Sequence, residues 1–286
     1  MAINLADFSK RLAAVVASIG QESLPDHLMV FFKKQVDIDN AVILFYNREH
    51  PPKVTYNDLP SVNQSTHITL FLKGAYLLDP CYRAAREGFN GYYQLDQLAP
   101  TGFRKSEYYK NYFRYTGLID ECGYIFKLGP DHFLNVSLGR DESSQRFNLS
   151  QQRLLKELTP LIKEICLAHW RTQDFYTQKD THEHIGHSED SLHTQLESAL
   201  NSFGTSILTD RESQVIQLFL HGHSTKSIAE KLGISPETVK LHRKNSYAKL
   251  DVRSQAELFF LFIDALSSMD NYTGGDPLTG YLNHEK

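Results

Sequence analysis

The sequence predicts an α+β protein in which a mixed helix-and-strand unit precedes an all-α unit of four helices. At 286 residues, the chain is long enough for two hydrophobic cores. Roughly the first 175 residues mix strand-like apolar runs with apolar residues at helical spacing. Beyond residue 207, short helical segments follow one another with cap residues and glycine stops. We therefore expect an N-terminal unit at 1–177, a linker and connecting helix at 178–206, a C-terminal unit at 207–266 and a tail at 267–286.

The composition is that of an ordinary globular protein. Hydrophobic residues make up 41%, charged residues 22%, and the net charge is −4. Because there is no overall basic field, any contact with nucleic acid needs a local basic patch. Residues 5–19 carry charges within an apolar pattern, which predicts an amphipathic helix rather than an export signal. No apolar run approaches the roughly 20 residues that span a membrane, so we expect a cytoplasmic protein without a membrane partner.

Neither the cysteines nor a histidine-rich stretch indicates a metal site. Cys81, Cys122 and Cys166 are far apart and never in CxxC spacing, which predicts reduced, packed thiols. Three histidines, at 182, 184 and 187, lie in a polar stretch that lacks the rigid surroundings a metal site needs. We therefore expect a solvated linker there, and neither a metal nor a cofactor.

The N-terminal unit shows several strand and helix signals. The predicted strands are 41–46, 53–56, 122–128 and 132–138, and the predicted helices are 67–78, 106–115 and 149–170. The first of these helices must end at Asp79, because the residue before Pro80 is disfavoured in a helix. The last has one apolar face, which could lie across the protein's own sheet or pair with a second copy.

The C-terminal unit carries the clearest local signals. Thr209 and Glu212 form a capping box for a helix that ends at Gly222. Ser224 then caps a second helix, which ends at Gly233. Ser235 caps a third, with proline at its first position. Two short helices joined at a glycine turn form the layout of a helix-turn-helix unit.

The fourth helix of this unit is apolar on all sides. Ser254 and Glu257 form its capping box, and residues 258–263 read LFFLFI. One face can bury against the other three helices, which would leave the rest exposed. A patch of this kind on a small domain indicates a partner surface, most simply a second copy in a homodimer.

The third helix has the chemistry of a nucleic-acid contact. Between residues 235 and 250 it carries Lys240, Arg243, Lys244 and Lys249 against the single acid Glu237. Lysine and arginine can neutralise phosphates, and polar side chains near the helix start can reach base edges. We expect double-stranded DNA as a partner. No GxSxG, P-loop or HExxH pattern is present, so we do not expect an enzyme.

Residues 208–258, LTDRESQVIQLFLHGHSTKSIAEKLGISPETVKLHRKNSYAKLDVRSQAEL, resemble the LuxR/FixJ (GerE-type) helix-turn-helix family without a gap. Thr225 and Ser227 depart from the usual asparagine and glutamate, which could alter phosphate contacts or site preference but not the fold. The resemblance implies a DNA-binding transcription regulator. Together with the basic helix, it gives a candidate DNA-binding set of Thr225, Lys226, Ser235, Thr238, Val239, Lys240, His242, Arg243, Lys244, Asn245 and Lys249.

The order of the two units is similar to that of the autoinducer-binding members of this family. In those proteins a GAF/PAS-like α/β/α sandwich holds an acyl-homoserine lactone, and an aspartate before a proline accepts a hydrogen bond from the ligand amide. The resemblance implies an α/β/α sandwich sensor here, with Asp79 in that role. Those receptors also carry tryptophans near this position, whereas this chain has only Trp170, far from it. No Asp-Asp pair follows an early strand, so a phosphorylated receiver domain is not expected.

Tyrosines cluster around the Asp79-Pro80 dipeptide. Of the 15 tyrosines, those at 76, 82, 92, 93, 108, 109, 112 and 115 fall within one short stretch. Their rings could face a cation that pairs with Asp79, which favours a small polar or cationic effector. The candidate effector-binding set is Tyr76, Asp79, Tyr82, Tyr92, Tyr93, Phe103, Tyr109, Tyr112 and Glu121.

Three hypotheses remain open for the N-terminal unit. It could sense a non-lactone metabolite, which the tyrosines and the missing tryptophans favour. It could be a quorum-type receptor for an acyl-homoserine lactone, which Asp79-Pro80 and the domain order favour. It could instead dock another protein and bind no small molecule.

Overall fold

The computed structural model describes residues 4–47, 52–59, 68, 71–72, 74–111, 113–130, 132–172, 198–267 and 274–279. The N-terminal unit is built on a five-stranded antiparallel sheet with the order β2-β1-β5-β4-β3. Its strands are β1 (Asn40–Asn47), β2 (Lys53–Asn57), β3 (Gly91–Gln94), β4 (Leu118–Lys127) and β5 (His132–Asp141). The four predicted strands are confirmed, and both predicted pairs are neighbours.

Both faces of this sheet are buried, and successive residues contribute to different cores. On β1, Ile43 and Phe45 pack into one hydrophobic core, whereas Leu44 and Tyr46 pack into the other. The strand is therefore apolar throughout rather than alternating, as expected for a strand that is covered on both sides.

Three long helices cover the first face of the sheet. They are α1 (Leu5–Ala17), α2 (Leu24–Gln35) and α6 (Leu149–Thr172). The hydroxyl of Tyr124 on β4 donates a 2.7 Å hydrogen bond to the carbonyl of Leu155 on α6. Helix α6 thus lies across its own sheet, one of the two interpretations of its apolar face.

Short helical segments cover the second face, which completes an α/β/α sandwich and confirms the predicted fold class. They are the 3₁₀ segment Ala75–Leu78, α3 (Pro80–Arg86), α4 (Leu95–Leu98), the 3₁₀ segment Phe103–Lys105, α5 (Glu107–Asn111) and the 3₁₀ segment Phe113–Thr116. The prediction of a continuous helix over 106–115 was wrong, because α5 ends at Asn111. The prediction for 67–78 was wrong at 75–78, which are 3₁₀ and follow Gly74 at a φ of 136°.

The C-terminal unit contains the four predicted helices: α7 (Asp210–Leu220), α8 (Thr225–Leu232), α9 (Pro236–Lys249) and α10 (Gln255–Ser267). The capping box of Thr209 and Glu212 is formed, and Ser224 and Ser235 cap α8 and α9. Gly233 ends α8 in the left-handed conformation, at a φ of 64°. These signals act within one helical turn, so the sequence specifies them locally.

Helix α10 is buried within the chain more completely than the sequence predicts. Leu258 and Phe262 are fully buried, and the ring of Phe262 meets that of Phe203 edge-on at 5.3 Å. Phe260, at 50% exposure, is the large apolar side chain of α10 that remains exposed. The expectation of a broad apolar partner surface on this helix is therefore corrected to a narrow one.

Part of the expected tail packs against the residues before α7. Asp276 accepts hydrogen bonds of 2.9 Å from the backbone amides of Gly204 and Ser206, and Leu278 is buried.

The histidines at 182, 184 and 187 lie outside the described residues. Among the residues that the structure describes, no helix is long and apolar enough to cross a membrane, and no cluster of side chains is arranged to hold a metal ion.

Candidate DNA-binding surface and effector site

Helix α9 presents a cationic face to solvent. Lys240, Lys244 and Asn245 are exposed along it, and Leu241 is 56% exposed. Lys240 and Lys244 are four residues apart, so they lie on the same side of the helix. The exposed face therefore combines two cations with an amide that can donate and accept hydrogen bonds.

Val239 lies on the opposite side of α9. It is fully buried and packs with Val215, Phe219 and Ile228 in the core of the C-terminal unit. The sequence-based inclusion of Val239 in the DNA-binding surface is corrected: its side chain holds α9 against α7 and α8.

Lys249 also makes a contact within the C-terminal unit. Its Nζ lies 2.7 Å from Oε2 of Glu212, whose side chain is only 5% exposed. Burial opposes ionisation of Glu212, but hydrogen bonds from Lys249 and Thr209 outweigh it and lower the pKa of this carboxyl. This ion pair ties the end of α9 to the start of α7.

The remaining predicted DNA-binding residues surround the exposed face or start the neighbouring helix. The guanidinium of Arg243 lies over the ring of Phe219, 5.2 Å from its centroid. Lys226, in the first turn of α8, has a side chain that is 85% exposed. Ser235 caps α9 by accepting from the amide of Thr238. Thr225 and His242 are partly buried.

A basic groove of about 570 Å³ runs between α9 and the start of α10. Four cations and no acid line it, together with small and polar side chains. The lining residues are Lys240, Arg243, Lys244, Tyr247, Ala248, Val252, Arg253, Ser254 and Gln255. Sequence reasoning missed Arg253 because it counted cations along α9 alone.

In the N-terminal unit, Asp79 is the centre of a hydrogen-bond network. Its Oδ1 accepts from the backbone amides of Cys81 at 2.7 Å and Tyr82 at 3.0 Å, which caps α3. Its Oδ2 accepts from the hydroxyl of Tyr108 at 2.8 Å. Burial raises the pKa of Asp79 even though these donors favour its charged form.

Glu121 supplies a second carboxyl nearby, and its side chain is buried. The hydroxyl of Tyr93 donates to its Oε1 at 2.8 Å and lies 3.1 Å from Oδ1 of Asn135. Burial raises the pKa of Glu121 to about 7, and the charge of Asp79 acts in the same direction. The Sγ of Cys81 lies 3.9 Å from Glu121 Oε1.

The predicted tyrosines divide between the two faces of the sheet. Tyr76, Tyr82 and Tyr93 share the core that holds the two carboxyls, and the rings of Tyr76 and Tyr82 meet edge-on at 5.1 Å. Phe103 lies in the same core, and Tyr109 packs against it at 5.5 Å. Together with Asp79, Glu121 and Tyr108, these residues form what we call the acidic aromatic cluster.

Tyr92 does not belong to the acidic aromatic cluster. It packs on the opposite face of the sheet, against Tyr124 at 5.8 Å. Its place in the predicted effector set is corrected because neighbouring residues of a strand point to opposite faces. Tyr112 lies outside the described residues.

Sequence reasoning left Tyr108 and Asn135 out of the effector set. Asn135 is buried within β5, between the apolar residues Leu134 and Val136. A lone amide in an apolar strand is the signal that could have found it, because a buried amide needs partners. Nothing local to residue 108 distinguishes Tyr108 from its neighbouring tyrosines.

A surface cleft of about 450 Å³ lies beside α3. It is lined by Pro80, Arg83, Ala84, Glu87, Gly88, Phe89, Gln97 and Leu98. None of the predicted effector residues lines this cleft. The acidic aromatic cluster is packed by its own side chains, and the described donors to Asp79 are the amides of Cys81 and Tyr82 and the hydroxyl of Tyr108.

Comparison with known proteins relates the C-terminal unit to a family and about two thirds of the chain to a regulator. Residues 206–262 match the family of bacterial regulatory proteins, luxR family. A protein of Aeromonas salmonicida, named as an HTH-type transcriptional regulator in the exeN 3′ region, is 33% identical over 189 residues. That match covers 66% of this chain and 94% of the relative.

Two further similarities cover part of the chain. The nitrate/nitrite response regulator protein NarP of Escherichia coli is 45% identical over 58 residues, which are 20% of this chain and 27% of the relative. The crystal structure of the VqsR LBD domain from Pseudomonas aeruginosa superposes with a TM-score of 0.52 at 22% identity. It covers 59% of this chain and 99% of that domain, and at this identity it shows the fold alone.

Replacing Lys249 by alanine should destabilise the protein. The change leaves the carboxylate of Glu212 buried without its cation, and we expect a loss of about 1–3 kcal/mol in the free energy of unfolding. Urea denaturation measures this loss. Lys244→Ala, on the exposed side of the same helix, is the stability control and should stay within about 0.5 kcal/mol of the unmodified protein. Equal losses in the two variants would contradict the structural role of Lys249.

Replacing Glu121 by glutamine should stabilise the protein more at pH 8 than at pH 5. A carboxyl whose pKa is raised by folding contributes stability below its unfolded pKa and loses that contribution as the pH rises through about 7. Glutamine has no charge to bury, so its advantage should grow over this range by on the order of 2 kcal/mol. Urea denaturation at several pH values tests this, and a difference that does not vary with pH would refute it.

Proposed function

Because the chain belongs to the LuxR family of bacterial regulatory proteins, we propose that it is an effector-responsive transcription regulator that acts as a cytoplasmic homodimer. In this proposal α9 enters the major groove of double-stranded DNA. The exposed cationic face of α9 is the observation that carries it, since Lys240 and Lys244 extend from the helix beside the basic groove. The proposed role is regulation rather than catalysis.

The chemistry of the α9 surface divides its contacts by type. Lys240, Lys244 and Lys226 can neutralise phosphates and so supply sequence-independent affinity. Thr238 and Asn245 carry neutral groups that can hydrogen-bond to base edges. Two copies related by a two-fold axis would read half-sites about one helical turn apart.

For the N-terminal unit we propose a small effector that carries an amine or another strong hydrogen-bond donor, and that is not a lactone. Two carboxyls, those of half-buried Asp79 and buried Glu121, lie among tyrosine side chains. A cationic group among them would relieve the cost of burying the carboxylates and would meet the negative faces of the rings.

An acyl-homoserine lactone receptor is the alternative effector class. Asp79 before Pro80 favours it, because its carboxylate accepts hydrogen bonds and lies in a sandwich similar in fold to the VqsR LBD domain. Control by a docked protein is the second alternative, and it requires no small molecule at all. A ligand screen separates the three.

Removal of Lys240 and Lys244 together should weaken DNA binding without unfolding the protein. The probe is a 30-bp duplex chosen by binding selection from a random pool with the unmodified protein. If both lysines contact phosphates, the slope of log affinity against log salt should fall by about 2, with at least a ~10-fold loss of affinity. Fluorescence anisotropy across a salt series measures both quantities.

The control for this experiment removes the same charge elsewhere. Lys10→Ala with Lys156→Ala takes two exposed lysines from the N-terminal unit. This variant should keep the affinity and the salt slope of the unmodified protein. If both double variants behave alike, α9 is not the DNA-binding surface.

A thermal-shift screen should identify the effector class. A ligand that binds only the folded protein raises the melting temperature as its concentration increases. We expect a rise with amine-bearing metabolites and none with acyl-homoserine lactones of several chain lengths. A rise with lactones would replace our proposal by the receptor alternative, and no rise with either class would favour protein docking.

The variant Asp79→Asn shows whether a ligand found in this way uses the charge of Asp79. Asparagine also caps helices well, so α3 should remain formed. For an amine ligand we expect the shift in melting temperature to disappear in the variant. A retained shift would place the ligand elsewhere.

A further inference from the structure

Residues 102–111 contact both the acidic aromatic cluster and the helix-turn-helix. We call them the connecting segment; it contains the 3₁₀ segment Phe103–Lys105 and helix α5. On one side, Tyr108 donates its 2.8 Å hydrogen bond to Asp79. On the other side, the segment packs against the turn between α7 and α8, residues 221–224.

The contact with this turn is a backbone-to-backbone approach. A Cβ atom placed on Gly102 would lie 2.6 Å from the carbonyl oxygen of Gly222 and 2.8 Å from the amide nitrogen of Ser224. The φ of Gly102 is −126°, which any residue can adopt. Glycine is therefore needed at position 102 for the closeness of the turn, not for backbone conformation.

The same segment also reaches the remaining helices of the C-terminal unit. Phe103 and Tyr108 lie in one hydrophobic core with Ile216 and Leu220 of α7. Tyr247 of helix α9 packs against that core, and burial, with a smaller contribution from the carboxylate of Glu107, raises the pKa of its hydroxyl. The segment that carries Tyr108 therefore packs against the turn and shares a core with residues of α7 and α9.

We propose that the connecting segment relays the occupancy of the acidic aromatic cluster to the helix-turn-helix. In this relay, a ligand donor takes the place of the Tyr108 hydroxyl at Oδ2 of Asp79. Loss of that hydrogen bond weakens the attachment of α5. It therefore also weakens the packing of the 221–224 turn against the connecting segment. The relay gives the effector response proposed above a physical route, and in this respect it rests on that function.

The test needs neither the effector nor the operator. Amide hydrogen exchange, followed by mass spectrometry on the full chain, reports local opening at 218–224. Tyr108→Phe keeps the ring but removes the hydrogen bond to Asp79, and Gly102→Ala pushes the turn away from the segment. We expect exchange at 218–224 to rise at least ~5-fold in each variant.

Two matched controls accompany these variants. Tyr92→Phe removes a tyrosine hydroxyl on the other face of the sheet, and Thr101→Ala changes the exposed neighbour of Gly102. Both should leave exchange at 218–224 unchanged. If Tyr108→Phe also leaves it unchanged, the relay is overturned, even where Gly102→Ala raises it, because the turn would then be docked without a link to Asp79.

A second measurement uses the selected 30-bp duplex. A loosened C-terminal unit must be ordered again on binding, so both relay variants should bind roughly 3- to 10-fold more weakly than the unmodified protein. Raised exchange with unchanged affinity would overturn the relay to DNA. If the unmodified protein binds no duplex, the DNA-binding function fails, while the exchange result still decides whether Asp79 and the turn are coupled.

Discussion

The hydrophobic core on the second face of the sheet holds the two units of this protein together. Ile216, Leu220 and Phe262 of the C-terminal helices are buried in it with Tyr76 and Tyr93 of the N-terminal unit. Separating the units would expose this apolar surface to water, at a cost of about 25 cal/mol for each Å². The orientation of the helix-turn-helix is therefore set by the same core that stabilises the sandwich.

Two carboxyls lie in this core, where stability alone would favour apolar side chains. Asp79 is retained with three hydrogen-bond donors, and Glu121 with the hydroxyl of Tyr93. These donors reduce the cost of burial but do not remove it, since burial raises the pKa of both groups. A buried acid that weakens its own core is typical of a functional site, and this observation supports the acidic aromatic cluster as the place where an effector binds.

The sequence predicts best the helix caps and boundaries, which are determined within a single helical turn. The caps at Thr209, Ser224 and Ser235 depend on residues two or three positions away, so the boundaries of α7, α8 and α9 follow from the sequence. The family resemblance and the apolar periodicity extend this to the fold class.

What the sequence misses depends on pairs that are distant along the chain. The sequence places Lys249 in the candidate DNA-binding set, and only the fold brings it to Glu212. Nothing in the sequence around Gly102 shows that Gly222 lies against it. Tyr92 could be separated from Tyr93 only once both were known to lie in β3, where neighbouring side chains face opposite ways.

The docked arrangement leaves the cationic face of α9 exposed. Lys240 and Lys226 keep side chains that are 60% and 85% exposed while α10 and the 221–224 turn are buried against the N-terminal unit. A contact that leaves these cations exposed does not cover the groups that would meet phosphates. It can regulate by orientation, because two recognition helices reach consecutive major grooves only when their spacing and angle match the duplex. In a dimer, a small movement of each 221–224 turn would change both the spacing and the angle of these helices. The geometry therefore favours control of helix alignment over control of helix exposure.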